Sequence, residues 1–357
     1  MKRLLTLLLP LALAGTGCSL ISTGDGESAT PSPEPGGTPT GTVVLVTHES
    51  FNLPKRLVRQ FEDESGLDLE VRASGDAGEL TTKLAVTRDN PIGDVAFGVD
   101  NTFASRALEE DVFDTLGVEL PAGVEEYVVP DDDGERLAPV DVGHVCVNVD
   151  TTWFAERDLD PPATLDDLAD PAYEGLFVTP SALSSSPGLA FLLTTVAAYG
   201  DEWPAYWEDL LANDTLIVDG WSDAYYGDFT QGGEGGKRPV VLSYDSSPAF
   251  TVPQGSDESS TAALLDTCFR QVEYAGVLAG AANPEGGRVL VEFLLSPEVQ
   301  AALPESMYVF PVRDDVELPA EWAEHAEQPA DPYVVDPADI AANRDTWLQE
   351  WRDLVTQ

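Results

Sequence analysis

An α/β fold in two lobes is predicted by two observations. From residue 42 onward, short β-branched or apolar runs alternate with segments of helical periodicity. About 315 residues follow that point, more than a single hydrophobic core usually accommodates. Strands separated by helices of about ten to fifteen residues imply βαβ units and a largely parallel sheet.

Each element follows from its local pattern. Thr42–Thr47 is a β-branched run bounded by Gly41, as expected of a buried strand. Leu53, Leu57, Val58 and Phe61 recur at helical spacing, and Gly66 stops that helix. Leu67, Leu69 and Val71 alternate with charged residues, predicting a half-buried strand. Leu80, Leu84, Ala85 and Thr87 predict a second helix, and Asp94–Gly98 a third strand. After residue 140 the alternation resumes. Strands are expected at Val142–Val149, Leu216–Val218 and Val240–Ser243, and helices at Leu189–Ala198, Trp203–Leu211 and Pro284–Leu295. Cys268–Leu278 is an apolar run that fits either state, and Pro337–Val355 closes the chain as an amphipathic helix.

The first residues read as an export signal. Lys2 and Arg3 precede an apolar run, Leu4–Ala14, that is too short to span a bilayer. It ends at Gly15-Thr16-Gly17-Cys18, which resembles the lipobox of bacterial lipoproteins, with Gly15 where Leu is usual. This resemblance implies lipidation at Cys18. Residues 19–41 are rich in Ser, Thr, Gly and Pro and have little to bury, so they are expected to form a disordered tether. No later stretch is long and apolar enough for a transmembrane helix.

The chain carries 64 acidic and 18 basic residues, a formal charge of −46. Nucleic acids and anionic lipid surfaces both require a basic patch, so neither is expected as a partner. With Cys18 lipidated, Cys146 and Cys268 remain as an even pair in an oxidising compartment, either disulfide-bonded or buried as free thiols.

Signatures of catalysis are absent. His48, His144 and His325 lie in no metal-binding spacing, and no G-x-S-x-G elbow occurs. Gly232–Lys237 is followed by Arg238 where a P-loop needs Ser or Thr, and position 231 is Gln, so this stretch is a loop. No cofactor and no metal are expected.

Three segments sit where strands yield to helices, the rim at which open α/β sheets bind ligands. They are Phe97–Asn101, the aromatic-rich Asp219–Tyr226, and Leu242–Phe250. Together with Thr47–Phe51, Pro139–Gly143 and Ser185–Leu189 they resemble, in order and approximate spacing, the periplasmic thiamine-binding proteins of ABC transporters. The resemblance runs from about Thr42 to Trp351. It implies a two-lobed periplasmic-binding-protein-like fold of type II, with the ligand cleft between lobes joined by hinge strands. The corresponding division is a signal at 1–17, a lipidated tether at 18–41, one lobe from 42–141 plus 271–312, and a second from 142–270. The remainder, 313–357, ends in a helix packed on the lobes.

The resemblance also implies roles. Asp100 matches the carboxylate facing the ligand, Trp221 and Tyr244 its aromatic walls, and Ser185 a polar contact. Tyr308 falls where the family commonly has Trp, and His48 and Phe250 where it can have Tyr. Tyr225 and Asn101, within the matched segments, complete the candidate set. Asp100 has an alternative as the cap of a helix beginning at Asn101. The chemistry agrees: thiamine is a planar aminopyrimidine joined to a permanent cation, and a cation over Trp or Tyr gains roughly 0.5 to 2 kcal/mol. The helix start at Ser184–Gly188 offers free N–H groups that suit a hydroxyl or a phosphate, which would admit thiamine phosphates. The implied partners are an ABC permease and its ATPase, at the outer face of the cytoplasmic membrane, with the protein itself a monomer anchored by lipid alone. Alternatives are a ferric-ion binder using the adjacent Tyr225 and Tyr226, a polyamine binder, or a surface lipoprotein enzyme.

Overall fold

The computed structural model describes residues 41–356 apart from position 131. The signal, Cys18 and nearly all of the tether lie outside the described residues.

The first lobe begins as the pattern predicts. β1 (Gly41–Thr47) is buried through its apolar half, and α1 (Lys55–Ser65) buries Leu57 and Phe61 before Gly66, in the left-handed region at φ 73°, ends it. β2 (Leu67–Ala73) pairs with β1 in parallel at the edge of the sheet. That position corrects the half-buried expectation: with a neighbour on one side only, Val71 is 43% exposed. After α2 (Ala77–Val86), β3 (Val95–Asp100) is wholly buried and parallel to β1, and α3 (Ala104–Glu109) follows.

β4 (Ala138–Asp150) has 13 residues, all buried, and extends about 43 Å at strand rise. Its first half pairs antiparallel with β9 (Phe269–Val277), and its second with β7 (Val240–Tyr244) and β8 (Thr261–Ala263). Between these lie α4 (Thr151–Ala155), β5 (Phe177–Pro180), α5 (Ser186–Tyr199), α6 (Trp203–Ala212) and β6 (Leu216–Val218), with β5 parallel to both β6 and β7. After β9 come α7 (Pro284–Leu294), α8 (Pro297–Gln300), α9 (Leu303–Met307), the short β10 (Phe310–Pro311) on β4, α10 (Ala320–His325) and α11 (Pro337–Val355).

The strand order is β2-β1-β3-β9-β4-β7-β5-β6. The sheet is therefore mixed rather than largely parallel. Two parallel wings flank β9 and β4, which run antiparallel to each other and to their outer neighbours. These long strands carry the chain between lobes. One core gathers β1, α1 and α7, and another gathers α5, α6 and β7. α5 is buried on nearly every face, as its apolar sequence requires. Cys146 on β4 and Cys268 just before β9 are joined by a disulfide. α11 lies against both α6 and α3: Trp351 packs edge-on to Trp207 at 5.5 Å, and the Arg344 guanidinium sits 5.6 Å from the Phe103 ring centre. Among the described residues no helix is long and apolar enough to cross a membrane.

Candidate functional site

A cavity of about 600 Å³ opens where the ends of β1, β6, β7 and β9 converge, within the size range of small-molecule sites. Aromatic rings form much of its wall. Trp221 leaves β6, and a π-helical turn over Asp223–Asp228 carries Tyr225 and Tyr226 beside it. Trp221 stacks on Tyr225 at 5.1 Å and 16°, and meets Tyr226 and Tyr244 edge-on at 5.4 and 6.2 Å. The indole N–H donates to Ser243 Oγ at 3.0 Å, and that hydroxyl lies 2.8 Å from Ser247 Oγ, so the ring is fixed from behind. Gly232 explains how the glycine-rich loop seals this wall: a Cβ there would fall 1.7 Å from the Tyr225 carbonyl oxygen.

Phe250 and Tyr308 form another part of the wall, with ring centres 3.6 Å apart. Tyr308 ends α9 in the left-handed region, φ 65°, and its carbonyl accepts from Ser246 Oγ. Phe51 and His48 both lean on Phe97, at 5.3 and 5.6 Å. Gly98, at φ 100°, makes room for the imidazole, since a Cβ there would lie 2.2 Å from His48 Cδ2.

The polar lining is acidic. Glu49, Asp76 and Glu273 reach the wall, while His48 is the one basic side chain among the described lining residues; no Lys or Arg is present. His48 Nε2 stands 3.2 Å from Glu273 Oε1. Burial opposes charging of the imidazole, but the carboxylates of Glu273, Asp76 and Glu49 outweigh it and raise its pKa. Glu273 on β9 faces Asp141 on β4 across the ladder. Burial, then the charge and hydrogen bond of Glu273, push the Asp141 carboxyl well above the usual range. Burial likewise raises the Tyr225 and Tyr244 phenols, which stay neutral.

A family model of bacterial extracellular solute-binding proteins matches residues 90–343, more than half of the chain. The chain belongs to that family. This solute-binding protein is similar to the thiamine-binding periplasmic protein of Escherichia coli (strain K12), 29% identical over 321 residues, which are 88% of this chain and 94% of that one. It is 28% identical over 324 residues to the thiamine-binding periplasmic protein of Brucella suis, covering 87% and 91%. Among solved structures, a periplasmic thiamin binding protein superposes with TM-score 0.77 at 28% identity, over 88% of this chain and 96% of the other. A ferric binding protein from Campylobacter jejuni, at 17% identity and TM-score 0.68, covers 87% and 99% and shares the fold. The fold is the type II periplasmic-binding-protein fold, two lobes joined by hinge strands with the cleft between them.

Six of the residues expected at the solute-binding protein's site line its cavity: Trp221, Tyr244, Tyr225, Tyr308, His48 and Phe250. Asp100, Asn101 and Ser185 do not. Asp100 is wholly buried behind the wall. One oxygen accepts from Thr102 N, Thr102 Oγ1 and Phe103 N, closing the turn ahead of α3 rather than capping a helix at Asn101, since α3 begins only at Ala104, and the other accepts from Ser186 Oγ. Asn101 spans the β9 backbone, donating to Arg270 O and accepting from Val272 N. Ser185 is buried as the residue preceding α5, and its neighbour Ser186 reaches the cavity instead.

Asp76, Gln271 and Glu273 escaped the sequence reading. Asp76 follows Ser74-Gly75 and opens α2, an N-cap signature. Its oxygens accept from Ala77 N, Ser186 N and Trp221 N, tying α2 to α5 and to the aromatic wall. Among the described residues no three His, Cys, Asp or Glu side chains converge to hold a metal ion. Tyr225 and Tyr226 meet edge-on at 88°, with Tyr225 stacked on the indole.

Proposed function

We propose that this protein captures thiamine outside the cytoplasm and delivers it to an ABC importer, tethered to the membrane by a lipid on Cys18. The observation that carries the reading is the cavity's composition. Flat rings of Trp221, Tyr225, Tyr244 and Tyr308 stand beside carboxylates, with no Lys or Arg among the described lining residues. A planar heterocycle with a fixed positive charge matches both properties, through stacking and cation–π attraction of roughly 0.5 to 2 kcal/mol per ring. Relatives that span nearly the whole chain and are named for thiamine binding support the same choice. Closure of the lobes on the ligand would present one conformer to the permease, and opening would release the cargo.

Phosphorylated thiamine fits this cavity less well. The N–H of Ser186 at the start of α5 already donates to Asp76, so the helix end most able to hold a phosphate is occupied by a carboxylate. Isothermal titration with thiamine, its mono- and diphosphate, ferric citrate and spermidine tests the reading. The expected order is thiamine, then monophosphate, then diphosphate, with thiamine also quenching tryptophan fluorescence. Preference for iron or spermidine over thiamine would replace the assignment with the corresponding rival. Retention of a Cys18→Ala variant in the membrane fraction would remove the lipid tether.

A further inference from the structure

Three carboxylates reach the cavity wall, and they differ in how much of their charge is already spent. Glu49 is exposed to solvent. Asp76 is half-buried, and both its oxygens accept from backbone N–H groups. Glu273 is buried, 7% exposed, and its neighbours are titratable side chains, His48 on one side and Asp141 on the other. We propose that Glu273 is the residue that recognises the ligand's fixed positive charge, with Asp141 as the positioning residue that holds it. This rests on the thiamine reading and says how that site selects a cation.

Asp141 and Glu273 lie directly opposite each other on β4 and β9, beside an irregularity in register between Pro139 and Asp141. Two ionised carboxylates so placed repel, and each loses hydration in a buried site. Among the described lining residues no Lys or Arg offsets them. The pair is tolerable when Asp141 keeps its proton and donates to Glu273, which leaves a single negative charge aimed at the cavity. Asp141 Oδ2 is buried without a hydrogen-bond partner, so a proton shared with Glu273 meets no competitor at that oxygen.

Among the described lining residues one side chain can supply a counter-charge to Glu273, the His48 ring. Its surroundings are Glu273 from β9, Asp76 ahead of α2 and Glu49 on its own segment, with Asp141 and the neutral Tyr244 phenol around Glu273. These favour imidazolium. A permanent cation arriving at Glu273 takes over that balance and expels the proton from His48. Ligand and proton therefore compete for one carboxylate, and affinity rises with pH across the histidine range.

The test compares thiamine with its uncharged isostere, in which thiophene replaces thiazolium, using the mature protein and its variants. Wild type is expected to prefer thiamine by at least about tenfold, with affinity rising severalfold from about pH 6 to about pH 8. Glu273→Gln should lose at least about tenfold for thiamine and almost nothing for the isostere, bringing their ratio near one. Asp141→Asn, which still donates to Glu273, should stay within about threefold, whereas Asp141→Ala should lose about tenfold with its melting curve still cooperative. His48→Gln should bind without the pH slope. An unchanged thiamine-to-isostere ratio in Glu273→Gln overturns the proposal alone, as does equal binding of both compounds by wild type. Failure of wild type to bind either overturns the thiamine reading together with it.

Discussion

Asp100 lies one hydroxyl away from the ligand cavity, and that separation changes what its charge does. Gln271 donates to Ser186 Oγ at 3.0 Å, Ser186 donates to Asp100, and the carboxylate completes its shell with Thr102 and Phe103. Burial outweighs these hydrogen bonds and lifts its pKa from 3.8 to about 6. A raised carboxyl pKa means the folded state binds the proton more tightly than the unfolded chain does. Stability from this residue is therefore present below about pH 4 and is lost as pH rises towards about 6. Asp100→Asn should remove that loss while keeping an acceptor for the turn. The unfolding free energies of wild type and variant should diverge by up to about 3 kcal/mol between about pH 4 and pH 7. Parallel curves in chemical denaturation would show that Asp100 titrates normally. At this scale Trp221 and Tyr244 were legible as rings in segments where strands yield to helices, whereas Tyr308 came only through the family resemblance. Asp100 and Ser185 were misplaced by one layer. At the end of a strand a single irregularity, here between Phe97 and Val99, decides which face a side chain takes. Glu273 was hidden inside the apolar run Cys268–Leu278. Its signal was an acid in a buried strand whose nearest basic residue, Arg270, is three positions back and so falls on the opposite face of a strand.

α2 shows how a helix end positions a site it does not enter deeply. Asp76 caps its own helix through Ala77 N, yet the same carboxylate receives the N–H of Ser186 from α5 and of Trp221 from the loop after β6. Gly78, the second residue of the helix, permits the approach, because a Cβ there would meet the Ser184 carbonyl at 2.6 Å, and Glu79 N donates to that same oxygen. α2 adjoins the β1–β3 wing while Ser186 and Trp221 belong to the β5–β6 side, so Asp76 bridges the two sides, beside the Glu79–Ser184 and Ser186–Asp100 hydrogen bonds. Asp76→Ala should leave three donors short of an acceptor and cost about 1 to 3 kcal/mol of stability. It should also weaken thiamine binding at least tenfold and enlarge the radius of gyration of the ligand-free protein in small-angle scattering. An unchanged scattering profile would assign Asp76 to helix capping alone. Elements were largely legible from periodicity: Gly66 ends α1 as its sequence position demands, and α5 is the apolar helix expected. Strand direction was not. A buried antiparallel strand such as β9 reads as the same apolar run as a parallel one, and only its pairing with β3 and β4 distinguishes them.

Across the whole molecule, the chain passes out along β4 and returns along β9, and the residues between form a closed excursion. The disulfide between Cys146 and Cys268 pins that excursion at its neck, across a sequence separation of 122 residues. Closing a loop of that size in the unfolded chain is worth about 4 to 5 kcal/mol in the chain-entropy account. The formal charge of −46 adds a reason for the cross-link, because self-repulsion favours expanded states, most strongly at low ionic strength. α11 is a second tie between α3 and α6, made of packing alone through Trp351 and Arg344, and it survives reduction. Replacing both cysteines by alanine should therefore lower the unfolding free energy by about 2 to 5 kcal/mol without abolishing the fold. Thiamine affinity should stay within about threefold, since neither cysteine lines the cavity and ligand stabilisation adds by mass action on the native state. Denaturation in about 20 mM and about 500 mM salt should show the larger loss at low salt. A double variant as stable as wild type would mean that packing of β4 against β9, with α11 behind them, holds the two lobes together unaided.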